Sequence, residues 1–195
     1  MILLLRHGQT EWNVERRFQG RADSPLTPLG IRQAHAMARL TDELTRREHG
    51  AWQMLASPLP RAWRTAEIIA EACGLAPAAD ERLAEVDCGA WEGRTWPEVA
   101  VGERASQSSK HWIFDAPGGE SFEAISTRIG GFLTSLEPEP DRRLVIVSHG
   151  AAGRILRGLY AGLDREEILD LDVPQDAVYR LQNGQIDRFD CEPVE

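Results

Sequence analysis

Two histidines occupy matching places along the chain. His7 follows the apolar run Met1-Ile2-Leu3-Leu4-Leu5 in Arg6-His7-Gly8, and His149 follows Leu144-Val145-Ile146-Val147 in Ser148-His149-Gly150. An imidazole beside an arginine can meet a phosphoryl group as nucleophile while the guanidinium holds its oxygens. Read alone, Arg6-His7 is more often a surface basic pair. The second histidine changes that reading, because both imidazoles then stand where a buried strand ends. Gly150 lets backbone approach a ligand closely, just before a helix whose N-terminus favours anions. Arg61, after Ser57-Pro58-Leu59-Pro60, falls in the first turn of another helix, where guanidinium and amide dipole act on the same anion. The plainer reading is an exposed helix arginine, as Arg64 is expected to be. Metal ligation by the two histidines needs further Asp, His or Cys ligands, and none is convincingly spaced. Together, Arg6, Arg61, His7 and His149 would offer charge to a transferring phosphoryl group without a metal. A proton donor is still required. The glycine-bounded stretch Leu83 to Gly93 contains Glu85, Asp87 and Glu92, and periodicity does not choose among them.

These residues need elements to hold them at one edge. The run 1–5 and the run 144–147 read as strands buried on both faces, and Trp52-Gln53-Met54-Leu55-Ala56 as a weaker third. Thr27 caps a helix with Pro28 at its first position and Met37, Leu40 and Leu44 at helical spacing, up to about Thr45. A second helix runs from Arg61 to Ala72 and stops at Gly74. Ser121 caps a third, with Phe122, Ile125, Ile129, Phe132, Leu133 and Leu136 on one face. A fourth follows Gly150, with Ile155, Leu156 and Leu159 inward. Strands alternating with helices predict an α/β fold, a three-layer α/β/α sandwich around a mostly parallel sheet, with ligands beyond the carboxyl ends of the strands. Val178 to Leu181 and Gln185 to Phe189 flank Asn183-Gly184, a strong hairpin signal that supplies an antiparallel edge strand. The segment of about 94–117, polar with Trp96 and Trp112 embedded, reads as an excursion over the site of a single domain spanning 1–195.

Composition narrows the partners. With 22 basic and 31 acidic residues the net charge is -9, which disfavours nucleic acid or an anionic membrane. All the cations but Lys110 are arginines, so any anion site is built from guanidinium groups and helix ends. No apolar stretch approaches the roughly 20 residues that span a bilayer, and the N-terminal run is too short for a signal-peptide core, which points to the cytoplasm. The cysteines Cys73, Cys88 and Cys191 are far apart and are expected to be reduced.

Leu5-Arg6-His7-Gly8-Gln9-Thr10-Glu11-Trp12-Asn13, Phe18-Gln19-Gly20, Asp23-Ser24-Pro25-Leu26-Thr27-Pro28-Leu29-Gly30 and Gln33-Ala34 resemble the opening of the histidine phosphatase superfamily, also called phosphoglycerate mutase-like. Ser57 to Ala66, Leu83 to Gly93, Gly119-Glu120-Ser121 and Val147-Ser148-His149-Gly150 match its later motifs in order, over essentially the whole chain. The resemblance implies that His7 is the nucleophile that becomes phosphorylated, and that Arg6, Arg61 and His149 bind the phosphoryl oxygens. It implies Glu85 as the acid/base. Asn13, Gln19 and Gly20 would line the phosphate pocket and its entrance, and the Gly150 backbone would add an amide donor. No cofactor or metal is implied.

The expected activity is hydrolysis of a small phosphorylated metabolite through a phosphohistidine, in the manner of the small phosphatases, among them the α-ribazole phosphatase group. Within the family the rival is a cofactor-dependent phosphoglycerate mutase; the mutases carry a longer insertion than the residues between Gly93 and Gly118. Outside catalysis the rival is a silent module that only binds a phospho-ligand. His35, His49 and His111 match no motif, and Asp87 and Glu92 are reserves should Glu85 fail. The physiological substrate stays open, and a homodimer is the base-rate expectation.

Overall fold

A computed structural model describes residues 1–99 and 112–192. His111, and with it the middle of the expected excursion, lies outside the described residues. In chain order the elements are β1 (Ile2–Arg6), α1 (Glu11–Val14), α2 (Pro28–Arg46), β2 (Gln53–Ala56), α3 (Pro60–Cys73), β3 (Pro77–Ala79), α4 (Trp96–Val99), α5 (Phe122–Thr134), β4 (Leu144–Ser148), α6 (Gly150–Ala161), α7 (Arg165–Asp170), β5 (Ala177–Gln182) and β6 (Gln185–Asp190). The six strands form one sheet in the order β3-β2-β4-β1-β5-β6. β3, β2, β4 and β1 run parallel, β5 is antiparallel to β1, and β6 is antiparallel to β5.

The apolar runs become strands because both of their faces are covered. In β1, Ile2 and Leu4 pack with α5, α6 and α7, whereas Leu3 and Leu5 pack with α2 and α3. β4 alternates in the same way, with Leu144 and Ile146 on the first face and Val145 and Val147 on the second. This period of two, with helices on each side, is the three-layer α/β/α sandwich. Parallel pairing of Leu5 with Val147 and Arg6 with Ser148 brings the ends of β1 and β4 level, so the two histidines leave the sheet side by side.

Caps set the helix ends. The Thr27 hydroxyl accepts from the Gly30 amide with Pro28 at the first helical position, and Ser121 accepts from the Ala124 amide. Gly74, in the left-handed region at φ 64°, ends α3. At the hairpin, Asn183 and Gly184 have φ of 52° and 74°, the double left-handed pair of a tight primed turn. The hairpin places β6, not β5, at the edge of the sheet. On the opposite edge β3 has no sequence signal: Pro77-Ala78-Ala79 lacks β-branched residues and is extended because it pairs with β2. α5 stops at Thr134, short of Leu136, where the Ser135 amide closes back on Phe132 and Leu133.

Candidate active site

The site is assembled at the carboxyl ends of β1 and β4. His7 and His149 are almost fully buried, with ring centroids 5.2 Å apart in an edge-on arrangement. His7 Nδ1 lies 2.7 Å from the carbonyl oxygen of Gly8. A carbonyl only accepts, so Nδ1 carries the proton and Nε2 presents its lone pair. His149 is the N-cap of α6, and its Nε2 is 2.7 Å from the Ser57 hydroxyl.

Two arginines flank the imidazoles. Arg6 ends β1 and donates through Nη1 to the Val173 carbonyl, while its buried Nε has no protein partner. Arg61, in the first turn of α3 as expected, donates to the carbonyls of Ala22 at 2.7 Å and Gly20 at 2.8 Å, and its buried Nε is also unpartnered. Arg64 one turn on is exposed and pairs with Glu67, so it has no place in the site. A Cβ on Gly150 would lie 3.5 Å from the Arg6 guanidinium, which places this glycine against the cation.

Glu85 is half-buried in the loop after the turn Glu81–Leu83. Its Oε1 accepts from the Ala152 amide at 2.9 Å and the Val86 amide at 3.0 Å, and Oε2 from the Ala151 amide at 3.2 Å. The first turn of α6, the positive end of the helix dipole, therefore holds the Glu85 carboxyl group. Arg128 of α5 fastens the same loop, donating to the carbonyls of Arg82 at 2.7 Å and Ala84 at 2.9 Å. It forms a two-pronged pair with Glu120 at 2.9 and 2.7 Å.

The residues that the resemblance assigns to the entrance are held by their neighbours. Asn13 Oδ1 accepts from the Thr10 amide at 3.0 Å and from Gln175 Nε2 at 2.9 Å, and the same Gln175 nitrogen reaches the His7 carbonyl at 3.2 Å. Gln19 keeps a buried, unpartnered Oε1. Gly20 has φ +53°, and a Cβ there would fall 2.1 Å from Glu92 Oε1, so no other residue fits this backbone without displacing Glu92. Glu92 accepts from the amides of Arg21 at 2.6 Å and Ala22 at 3.2 Å. The peptide units from Gly20 to Ala22 are thus gripped by Glu92 through their amides and by Arg61 through their carbonyls.

His7, His149, Arg6, Arg61, Glu85 and Gly150 come together beyond β1 and β4, Asn13 is linked to His7 through Gln175, and Gly20 is held by Arg61; Ser57 and Glu120 stand in matched motifs without an assigned role, and Arg128 and Gln175 carry no sequence signal for the site. Arg128 is one arginine among many on a helix, and Gln175 sits in a loop without pattern. Only the side-chain contacts reveal them. Among the described residues no group of three or more His, Cys, Asp or Glu side chains is placed to hold a metal ion.

Burial, with Arg6 and Arg61 alongside, holds His7 well below the usual imidazole range. Burial, with Arg61, His7 and Arg6 alongside, does the same for His149. Burial also lowers Arg6 to about 10, with Glu85 opposing the shift, so Arg6 remains a cation at neutral pH. Both imidazoles are therefore neutral in the folded protein near pH 7. The unfolded chain protonates them near pH 6.5, about the ordinary value. Below that pH the unfolded state binds more protons than the folded state, and stability falls as pH falls. Thermal unfolding is accordingly expected to show a declining Tm between pH 7 and 5, with a shallower decline in His149→Gln. A Tm that rises over this window would contradict neutral imidazoles at both positions.

The family model of the histidine phosphatase superfamily, branch 1, matches residues 2–188. A curated relative named "Probable phosphoglycerate mutase GpmB", from Cronobacter sakazakii, is 38% identical over 193 residues, covering 97% of this chain and 84% of the relative. Among solved structures, the mycobacterial glucosyl-3-phosphoglycerate phosphatase in complex with VO3 aligns with a TM-score of 0.77 at 27% identity, covering 98% of this chain and 99% of that one. The α-ribazole phosphatase of Shigella flexneri aligns with a TM-score of 0.77 at 28% identity, covering 97% and 95%. Among the described residues no helix is long and apolar enough to cross a membrane.

Proposed function

The chain belongs to the histidine phosphatase superfamily, branch 1, and from that premise we propose that it hydrolyses a small phosphate monoester through a phosphohistidine at His7, as one catalytic domain without a metal. The observation that carries this reading is the meeting of two buried, neutral imidazoles, His7 and His149, with ring centroids 5.2 Å apart and the cations Arg6 and Arg61 close enough to lower both, while Arg6 Nε, Arg61 Nε and His149 Nδ1 are buried without protein partners. Buried donors left unpaired are costly unless a ligand supplies the acceptors, and a phosphoryl group supplies them on its three non-bridging oxygens.

In the first step His7 Nε2 attacks phosphorus, the N–P bond forms as the P–O ester bond breaks, and Glu85 gives its proton to the departing oxygen. In the second, water attacks phosphorus, Glu85 takes the water's proton, the N–P bond breaks and inorganic phosphate leaves. Splitting one displacement into two lets a single carboxyl serve as acid and then as base. Arg6, Arg61 and His149 face the charge that spreads over the phosphoryl oxygens in both transition states. Asn13 and Gln19 line the pocket and its entrance, with Gly20 and the Gly150 amide at its rim.

The curated relatives named as phosphoglycerate mutases keep a second reading in play, in which the phosphohistidine returns its group to the substrate instead of to water. Incubation in EDTA with a panel of phosphorylated metabolites that includes phosphoglycerates and α-ribazole phosphate separates the two. Release of inorganic phosphate is expected. Interconversion of phosphoglycerates without release would establish the mutase, and no turnover of any ester would sink both in favour of a binding module. Arg61→Ala, which removes a donor to the transition state, is expected to lower turnover by at least about 10²-fold. Near-normal steady-state rates would place Arg61 outside the chemistry.

A further inference from the structure

We propose that Ser57 is a positioning residue that selects the tautomer of His149, keeping the proton on Nδ1 so that a neutral imidazole donates to the phosphoryl group. This rests on the reading of the cleft as a phosphoryl site. Ser57 is fully buried at the end of β2, and its hydroxyl oxygen has two recorded neighbours, the Leu59 amide at 3.2 Å and His149 Nε2 at 2.7 Å. The Leu59 amide can only donate, so it occupies the oxygen as acceptor and leaves the hydroxyl proton in need of an acceptor of its own. Among the described residues His149 Nε2 is the one atom within hydrogen-bond distance able to take it. Nε2 therefore carries the lone pair, and the ring proton is on Nδ1.

Nδ1 is the buried atom of His149 that has no protein partner, and the ring stands edge-on to His7 at 5.2 Å. The opposite tautomer would aim a lone pair at the phosphoryl oxygens and strand the serine proton, so one hydroxyl decides between attraction and repulsion at the reacting group. The charged groups around His149 are Arg61 of α3, Arg6 of β1 and Arg128 of α5, with His7 opposite. The three arginines only donate, so none of them supplies a competing acceptor for Nε2–H. The arrangement sets two neutral imidazoles in opposite roles. The Gly8 carbonyl fixes the proton of His7 on Nδ1 and exposes a lone pair, while the Ser57 hydroxyl fixes the proton of His149 on Nδ1 and exposes a donor.

The test is a long-range ¹H–¹⁵N correlation spectrum of the imidazole rings in the ligand-free wild-type protein at pH 7.5, with the His149 signals identified by their loss in His149→Gln. The expected result is a protonated, pyrrole-type Nδ1 and a pyridine-type Nε2. A protonated Nε2 in the wild type overturns the proposal, whatever the activity, and absence of phosphatase activity with the expected tautomer would instead overturn the functional reading. In Ser57→Ala the spectrum should shift towards Nε2 protonation and kcat/KM should fall about 10- to 10²-fold, the scale of one buried hydrogen bond. Ser57→Thr should restore the tautomer and most of the rate. A Ser57→Ala protein with the wild-type tautomer contradicts the proposal, and if that variant does not fold the wild-type spectrum decides alone.

Discussion

His7→Ala is expected to lower turnover by at least about 10⁴-fold and to abolish the phosphoenzyme, the effect of deleting a nucleophile from a two-step displacement. The reason lies in the ring's surroundings. Its Nδ1 is tied to the Gly8 carbonyl, its burial and the two arginines keep it uncharged, and in the proposed mechanism its remaining nitrogen attacks a phosphoryl group held by Arg6, Arg61 and His149. Alanine leaves those donors in place, so the variant should still bind inorganic phosphate or vanadate while failing to form an N–P bond. Steady-state assay with an aryl phosphate checks the rate, and equilibrium binding of phosphate checks that the pocket survives. Retained turnover with a phosphate-binding pocket would mean that another group attacks, and His149 would be the first to suspect.

Glu85→Gln is expected to cost about 10²- to 10⁴-fold on alkyl phosphates, the usual range for a general acid. On a nitrophenyl phosphate the loss in the first step should be far smaller, since that leaving group departs without a proton. The two substrates therefore divide the role of Glu85 from any structural one. Glutamine nearly matches the shape of the carboxyl and keeps one oxygen to accept from the α6 amides that now hold Oε1 and Oε2. A collapse of the loop would slow both substrates alike, and equal losses in single-turnover measurements would count against proton donation to the leaving oxygen.

The parts of this architecture written in local pattern are legible in the sequence. The runs at β1 and β4 end in Arg6-His7-Gly8 and Ser148-His149-Gly150, and parallel register brings them together because sheets covered on both faces place their ligand edge at the strand ends. Thr27-Pro28, Ser121 and Asn183-Gly184 set boundaries through side-chain caps and turn dihedrals that depend on neighbouring residues alone. Glu85 differs: periodicity leaves it level with Asp87 and Glu92, and resemblance alone prefers it. The contacts of the three carboxylates differ. Glu85 is held on the first turn of α6, Asp87 accepts from the Gly89 amide at 2.7 Å, and Glu92 is consumed by the Arg21 and Ala22 amides. What stayed hidden was set by long-range packing. β3 owes its form to β2, and Gln175 reaches Asn13 and the His7 carbonyl from a loop more than a hundred residues away in the chain. Arg128 braces the acid loop across a helix whose sequence marks only its apolar face.

The net charge of -9 also gains a different meaning from the site. Bulk acidity disfavours extended polyanions, while in the proposed mechanism the buried cations Arg6 and Arg61 hold a single phosphoryl group away from the acidic surface.

The most direct measurement is to mix the wild-type protein with a ³²P-labelled phosphate monoester, quench within the first turnover and locate the label by peptide mapping under alkaline conditions. The account predicts an acid-labile, base-stable phosphoryl group on His7 that forms and decays at rates consistent with turnover. Label on any other residue, or phosphate release with no labelled enzyme under conditions where the first step is complete, would contradict it.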